Sequence, residues 1–186
     1  MKNAYIDTNI VVSSIKPDDI FYSDSKKLLS NSIVNCLSST LLLVELKAVL
    51  TKQVDNIEKN LSREIKNLIK DFTLEEKTEV FFNYVMEKIY LEILEVPTIE
   101  RLDIPSYNGS IYTPYAISLK ISAFTQLKTL DNLHISHIMQ INHILNKKID
   151  YFVTTDKMIQ KNKMKINELL SIIVITPNKL IELETT

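Results

Sequence analysis

Four short apolar runs constrain the fold of this chain more than any other feature. They are Ala4-Tyr5-Ile6, Ile33-Val34-Asn35-Cys36-Leu37, Tyr151-Phe152-Val153-Thr154-Thr155 and Ile172-Ile173-Val174-Ile175. A strand with one wet face alternates apolar and polar residues, whereas a strand apolar throughout is covered on both faces. Between these runs the apolar residues fall at helical spacing. The spacing predicts helices over Ser23 to Leu29, Thr40 to about Lys52, Val54 to Phe72, Leu74 to Leu94, Tyr115 to Leu127 and Leu130 to Asn146. Short buried strands separated by helices make an α/β protein with a parallel sheet.

At 186 residues the chain is long enough for one domain with a sizeable core. Its single glycine, Gly109, excludes a dinucleotide fingerprint and a phosphate-binding P-loop, which need three and two glycines. Its single cysteine, Cys36, excludes a disulfide framework and a cysteine zinc site. No apolar run approaches ~18 residues, and Asp7 interrupts the apolar N-terminus, so the expectation is a cytoplasmic protein with no membrane span. Net charge is −1, with the acid excess in 51–100 and the base excess after residue 100. Pro97 to Pro114 holds three of the five prolines and reads as a loop.

Carboxylates stand at informative places. Asp7 and Asp156 each follow a buried strand. Ligands of an open parallel sheet sit at the carboxyl ends of its strands, so these two can converge. Asp150 precedes its strand and belongs to the opposite edge, roughly 17–20 Å away at ~3.3 Å per residue. On a wheel of about 100° per residue, Glu45 falls inside an arc formed by Leu41, Val44, Ala48 and Val49. A carboxylate there pairs with a buried lysine, caps a loop or holds a metal. Asp131 stands in the first turn of a helix, where the helix dipole alone would favour it. Four such acids need a cation to share a pocket, and hard oxygen ligands select Mg²⁺ or Mn²⁺. Metal-assisted phosphodiester hydrolysis suits that set.

The segments Tyr5-Ile6-Asp7-Thr8-Asn9, Val44-Glu45-Leu46, Leu127 to His134 and Phe152 to Lys157 resemble the PIN-domain family in order and context. The family includes the VapC ribonuclease toxins of toxin–antitoxin pairs. The resemblance implies a three-layer α/β/α sandwich with a central parallel sheet of four or five strands. It also implies a Mg²⁺- or Mn²⁺-dependent endoribonuclease. By it, Asp7, Glu45, Asp131 and Asp156 are the catalytic, metal-holding quartet, with Asn9 and Thr155 as polar supports. It covers 1–50 and 115–180. The stretch at about 51–114 is expected to be a largely helical insertion in a single domain.

Other residues carry two readings each. His134, His137 and His143 share a helix; Asp131 and His134 could share a metal, or the histidines support and pack. Lys157, Lys161 and Lys165, four residues apart, form an RNA-binding ridge or a solvated face. Tyr107, Tyr112 and Tyr115 stack on bases or pack. Ser13 and Ser14 show no nucleophile elbow. The apolar stripes of 54–94 suggest a homodimer. An antitoxin protein is a further possible partner. The rival to catalysis is a nucleic-acid- or protein-binding module on the same scaffold.

Overall fold

The computed structural model describes residues 1–185. The chain begins on β1 (Asn3–Ile6) and turns at Asp7 into α1 (Thr8–Ser14). After α2 (Tyr22–Ser30) come β2 (Asn35–Ser39) and α3 (Thr40–Lys59). Then α4 (Arg63–Ile69) and α5 (Leu74–Lys88) lead into β3 (Glu92–Leu94). A hairpin of β4 (Ile99–Ile104) and β5 (Tyr107–Tyr112) precedes α6 (Thr113–Thr125) and α7 (Thr129–Ile144). The chain closes with β6 (Tyr151–Val153), α8 (Lys157–Lys161), α9 (Lys163–Leu170), β7 (Ile173–Ile175) and α10 (Pro177–Thr185).

Among the described residues, five strands form one wholly parallel sheet in the order β3-β2-β1-β6-β7. Side chains alternate across it, as the pleat requires. Ala4, Ile6, Cys36, Tyr151 and Val153 enter a core with Leu28 of α2, Leu46 of α3, Val85 of α5 and Leu180 of α10. Tyr5, Leu37 and Phe152 enter a second core with Ile121 of α6, Ile135 and Ile138 of α7 and Ile166 of α9. Helices thus cover both faces, and the fold is the expected three-layer α/β/α sandwich. No helix of the described residues is long and apolar enough to cross a membrane.

The middle of the chain departs from the sequence reading. The helix expected over 54–72 is broken: α3 runs on to Lys59, and the Ser62 hydroxyl accepts from the Ile65 N–H to start α4. The helix expected to reach Leu94 stops at Lys88, because Glu92–Leu94 pairs with β2 as the sheet's edge strand. The supposed loop at 97–114 contains a two-stranded antiparallel hairpin turning at Pro105-Ser106. Its proline and glycine content hid it. The region 51–114, expected as a largely helical insertion, holds the end of α3, α4 and α5, and it also supplies β3 to the central sheet and the β4–β5 hairpin. Gly109 lets the Tyr107 ring fold over the strand, since a Cβ there would lie 2.9 Å from the ring and push that exposed side chain aside. Val54, Ile69 and Phe81 bury one another in a small separate cluster, so part of the apolar stripe is satisfied within the chain.

The wheel reading of α3 also needs correction. Its buried row is Leu42, Leu46, Leu50 and Val54, whereas Val44 is 69% exposed and Ala48 is exposed. Glu45 lies on the flank of the core-facing row, not at its centre. The cause is simple: apolar Val44 and Ala48 share the solvent side with Lys47, so hydrophobicity alone does not mark the buried row.

Candidate metal centre

β1 and β6 end side by side. Ile6 pairs with Val153, and the Asp7 N–H donates to the Val153 carbonyl at 3.1 Å. Strand order reverses at this point: β2 lies beyond β1 on one side and β7 beyond β6 on the other. Such a switch point opens a crevice at the strands' carboxyl ends.

Asp7 is the deepest carboxylate, 6% exposed. It caps α1, and its Oδ2 accepts from Asn9 Nδ2 at 2.7 Å and from the Thr154 hydroxyl. Asn9 also donates to Thr154 Oγ1 at 3.0 Å and accepts from the Thr155 N–H at 3.2 Å. The expected support from Asn9 is therefore direct. The expected support from Thr155 is not: its contact is through the backbone, and the hydroxyl on Asp7 belongs to Thr154.

Glu45 reaches the crevice from α3 on one face of the sheet, and His134 from α7 on the other. Their Oε2 and Nε2 atoms are 2.8 Å apart, and Thr8 donates its hydroxyl proton to the same oxygen. His134 Nδ1 is 3.0 Å from the Tyr5 hydroxyl, which lies 2.7 Å from Ser39 Oγ. A buried chain thus runs Glu45–His134–Tyr5–Ser39 through the sheet's carboxyl edge. His134 Nε2 is also 3.8 Å from Asp7 Oδ1. Asp131, one turn before His134 on α7, lines the same cavity of about 280 Å³ with Asp156, Val12 and Val49. Asp156 has a second role, since its Oδ1 accepts from the Met158 and Ile159 N–H groups and caps α8.

Burial pushes the Asp7 carboxyl above the usual range, against the pull of His134. Asp131 is raised too, first by burial and then by the charges of Asp156 and Asp7. Burial also works to raise Glu45, but the hydrogen bond and charge of His134 outweigh it and hold Glu45 below its ordinary value. His134 itself is raised well above an ordinary histidine: burial opposes its charge, and Tyr5, Glu45 and Asp7 favour it. As an imidazolium it donates from Nε2 to Glu45 and from Nδ1 to Tyr5.

The donors suit a divalent cation. Ligand atoms of Asp7, Glu45 and His134 all lie within 4.8 Å of one another, so the group could hold a metal ion, His134 as a ligand only in its neutral form. Asp7, Glu45, Asp131 and Asp156 are thus brought to one cavity, with His134 as a fifth member.

Several residues fall elsewhere. Asp150 accepts from the Asn3 N–H at 3.0 Å, at the opposite edge of the sheet. His143 is exposed, and Ser13 and Ser14 are buried in α1, where the Ser14 hydroxyl bonds the Val11 carbonyl. The lysine ridge is interrupted: α8 ends at Lys161, α9 begins at Lys163, and Lys165 Nζ donates to the Phe124 carbonyl at 3.2 Å. Tyr107 lies at the hairpin tip, its hydroxyl on the Ser110 carbonyl.

Thr154 and Tyr5 escape a reading from sequence alone. Thr154 is chosen over Thr155 by the β1–β6 register, which sets it beside Asp7, and no local signal encodes that register. Tyr5 looks like one more apolar strand residue. Comparison with family models and with curated proteins finds no match for this chain.

Proposed function

We propose that this protein is a Mg²⁺- or Mn²⁺-dependent endoribonuclease that hydrolyses RNA phosphodiester bonds. The observation that carries this reading is the convergence of four carboxylates and one histidine at the switch point of a parallel sheet. The likeness of its motifs to PIN domains supports it. Asp7 and Glu45 hold the cation, with Asp131 and Asp156 completing the charge. A bound divalent ion screens the phosphate and lowers the pKa of water. Asn9 and Thr154 keep the Asp7 carboxylate turned into the cavity. His134 keeps Glu45 charged and oriented. Asp131, on the wall of the same cavity, orients the attacking water. Purified protein should cleave single-stranded RNA in Mg²⁺ or Mn²⁺ and stop in EDTA; cleavage that persists in excess chelator would overturn the reading.

RNA grip belongs to the same proposal. Lys157 and Lys161 are exposed and one turn apart on α8, immediately after Asp156. Each phosphate neutralised on a single strand contributes about −0.7 to the slope of log K against log salt. The double change Lys157→Gln, Lys161→Gln should flatten that slope by about 1.4, and Lys165→Gln should add little. The check is RNA binding against salt in Ca²⁺; an unchanged slope in the double variant means that RNA enters from another side.

The toxin role and a homodimer extend the reading. Leu68, Leu74 and Tyr84 on α4 and α5 remain 74, 56 and 58% exposed after the intramolecular cluster is formed. Light scattering should give twice the chain mass of 21.5 kDa, and a monomer at micromolar concentration refutes the dimer. A short gene immediately upstream, encoding a DNA-binding protein with an amphipathic tail, is the expected sign of an antitoxin; its absence removes the toxin role.

A further inference from the structure

A second cavity, of about 180 Å³, lies beside the carboxylate cavity. α3 and α7 build both. Glu45 faces the acids while its neighbour Val44 lines the second space, and His134 faces the acids while Leu133 and His137 line the second. Thr40, Leu41, Pro114 and two tyrosines complete the wall. Tyr112 and Tyr115 meet edge to face, with ring centroids 6.0 Å apart, and Tyr115 is 49% exposed.

Two features go beyond packing. The Tyr112 hydroxyl is buried and has no hydrogen-bond partner among the described residues. A buried hydroxyl left unpaired is costly and calls for an explanation. His137 is 6% exposed and 6.1 Å from the Tyr112 ring. Burial, with the charge of His134, lowers its pKa to about 4, so it is a neutral imidazole with one donor and one acceptor. Val44 meanwhile presents an apolar side chain to solvent at the cavity's edge. An apolar and aromatic wall, with polar groups in the depth and room for a single ring system, matches a heteroaromatic base with a flat face and a hydrogen-bonding edge.

Resting on the ribonuclease reading, we propose that this cavity takes one unpaired nucleobase of the RNA, next to the phosphate held at the carboxylates. Tyr115 and Val44 cover the face of the base. The Tyr112 hydroxyl and His137 read its edge, so the cavity sets a base preference at the cleavage point. Phosphate contacts position a strand without telling one sequence from another; such a pocket supplies the discrimination.

The test uses free nucleosides and RNA on the intact protein. With histidine-labelled protein, adenosine, guanosine, cytidine and uridine are titrated in turn. At least one should shift the His137 resonances and leave those of exposed His143 in place, and Tyr115→Ala should abolish the shift. In Ca²⁺, a single-stranded RNA should bind about tenfold tighter than an abasic ribose-phosphate chain of equal length. Tyr115→Ala should remove most of that gap. Because Tyr115 is half exposed, the variant should fold; the wild-type comparison of RNA with the abasic chain decides the matter if it does not. Equal affinity for RNA and the abasic chain, with no nucleoside shifting His137, overturns the proposal. Nucleoside shifts without any RNA cleavage would sink the ribonuclease reading and leave the base site standing. Cleavage indifferent to base identity and to Tyr115→Ala would do the reverse.

Discussion

Asp7→Asn should reduce RNA cleavage by at least about a thousandfold while leaving the chain folded. Asp7 is the least exposed of the four acids and accepts three hydrogen bonds, from the Asn9 side chain and N–H and from Thr154. An asparagine can direct its Oδ1 to Asn9 and Thr154 and keep both hydrogen bonds. It then turns an NH₂ group, not a charge, toward the cavity and His134. The side-chain contacts to Asn9 and Thr154 survive, the long cap to the Asn9 N–H is given up, and the cavity loses one carboxylate charge. Single-turnover cleavage in Mn²⁺ measures the loss, and circular dichroism checks the fold. Asp150→Asn is the matched control: that carboxylate accepts from Asn3 at the far edge of the sheet, so cleavage should be unchanged. Asp7→Asn retaining activity within tenfold of wild type would show that the cavity is not where cleavage happens.

The parts of this site that sequence disclosed are those fixed by local chemistry. Asp7 and Asp156 could be placed because a carboxylate directly after an apolar strand has one place to be in a parallel sheet. Asp131 and His134 could be paired because three residues on a helix share a face. The helical wheel points Glu45 toward the core along with Val44 and Ala48, and in the structure those two are exposed while the glutamate alone turns into the cavity at the end of the sheet. What stayed hidden depends on pairing between distant segments. The β1–β6 register chooses Thr154 as the hydroxyl on Asp7. The meeting of α3 and α7 across the sheet makes the Glu45–His134 contact. β3 is three residues long, and its strand state comes from the free edge of β2, not from its own Glu92-Ile93-Leu94 pattern. The hairpin at 99–112 was concealed by the same proline and glycine residues that mark loops elsewhere.

A divalent cation should stabilise this fold measurably. Four carboxylates in one cavity repel one another, so the chelated protein carries an electrostatic load that a bound ion removes. At a free Mg²⁺ or Mn²⁺ concentration about 100 times Kd, binding to the folded state alone adds about 2.7 kcal/mol. For a domain of this length that is roughly 5–10 °C in Tm. The pH dependence follows from the directions of the shifts. Asp7 and Asp131 have raised carboxyls, so the fold favours their protonated forms, and stability in chelator falls as pH rises from about 3.9 through their folded values. His134 is raised as well, and its contribution is complete below about pH 6.5 and lost as pH climbs through its folded value. Glu45 is lowered, so its contribution is present above about 4.3 and lost only as pH falls through its folded value. The chelated protein should therefore melt at a higher temperature near pH 5.5 than at 7.5. Metal binding competes with protons for the same carboxylates, so the gap between Mg²⁺ and EDTA should widen over that interval. Asp131→Asn separates this load from ordinary structure better than a change at Asp156, which caps α8. In EDTA the Asp131 variant should melt at or above the wild-type temperature, and it should lose most of the Mg²⁺ increment. Scanning calorimetry at pH 5.5 and 7.5 reads both effects. Equal melting temperatures in Mg²⁺ and EDTA at pH 7.5, or a drop of several degrees for Asp131→Asn in EDTA, would mean that these carboxylates hold the fold together and hold no cation.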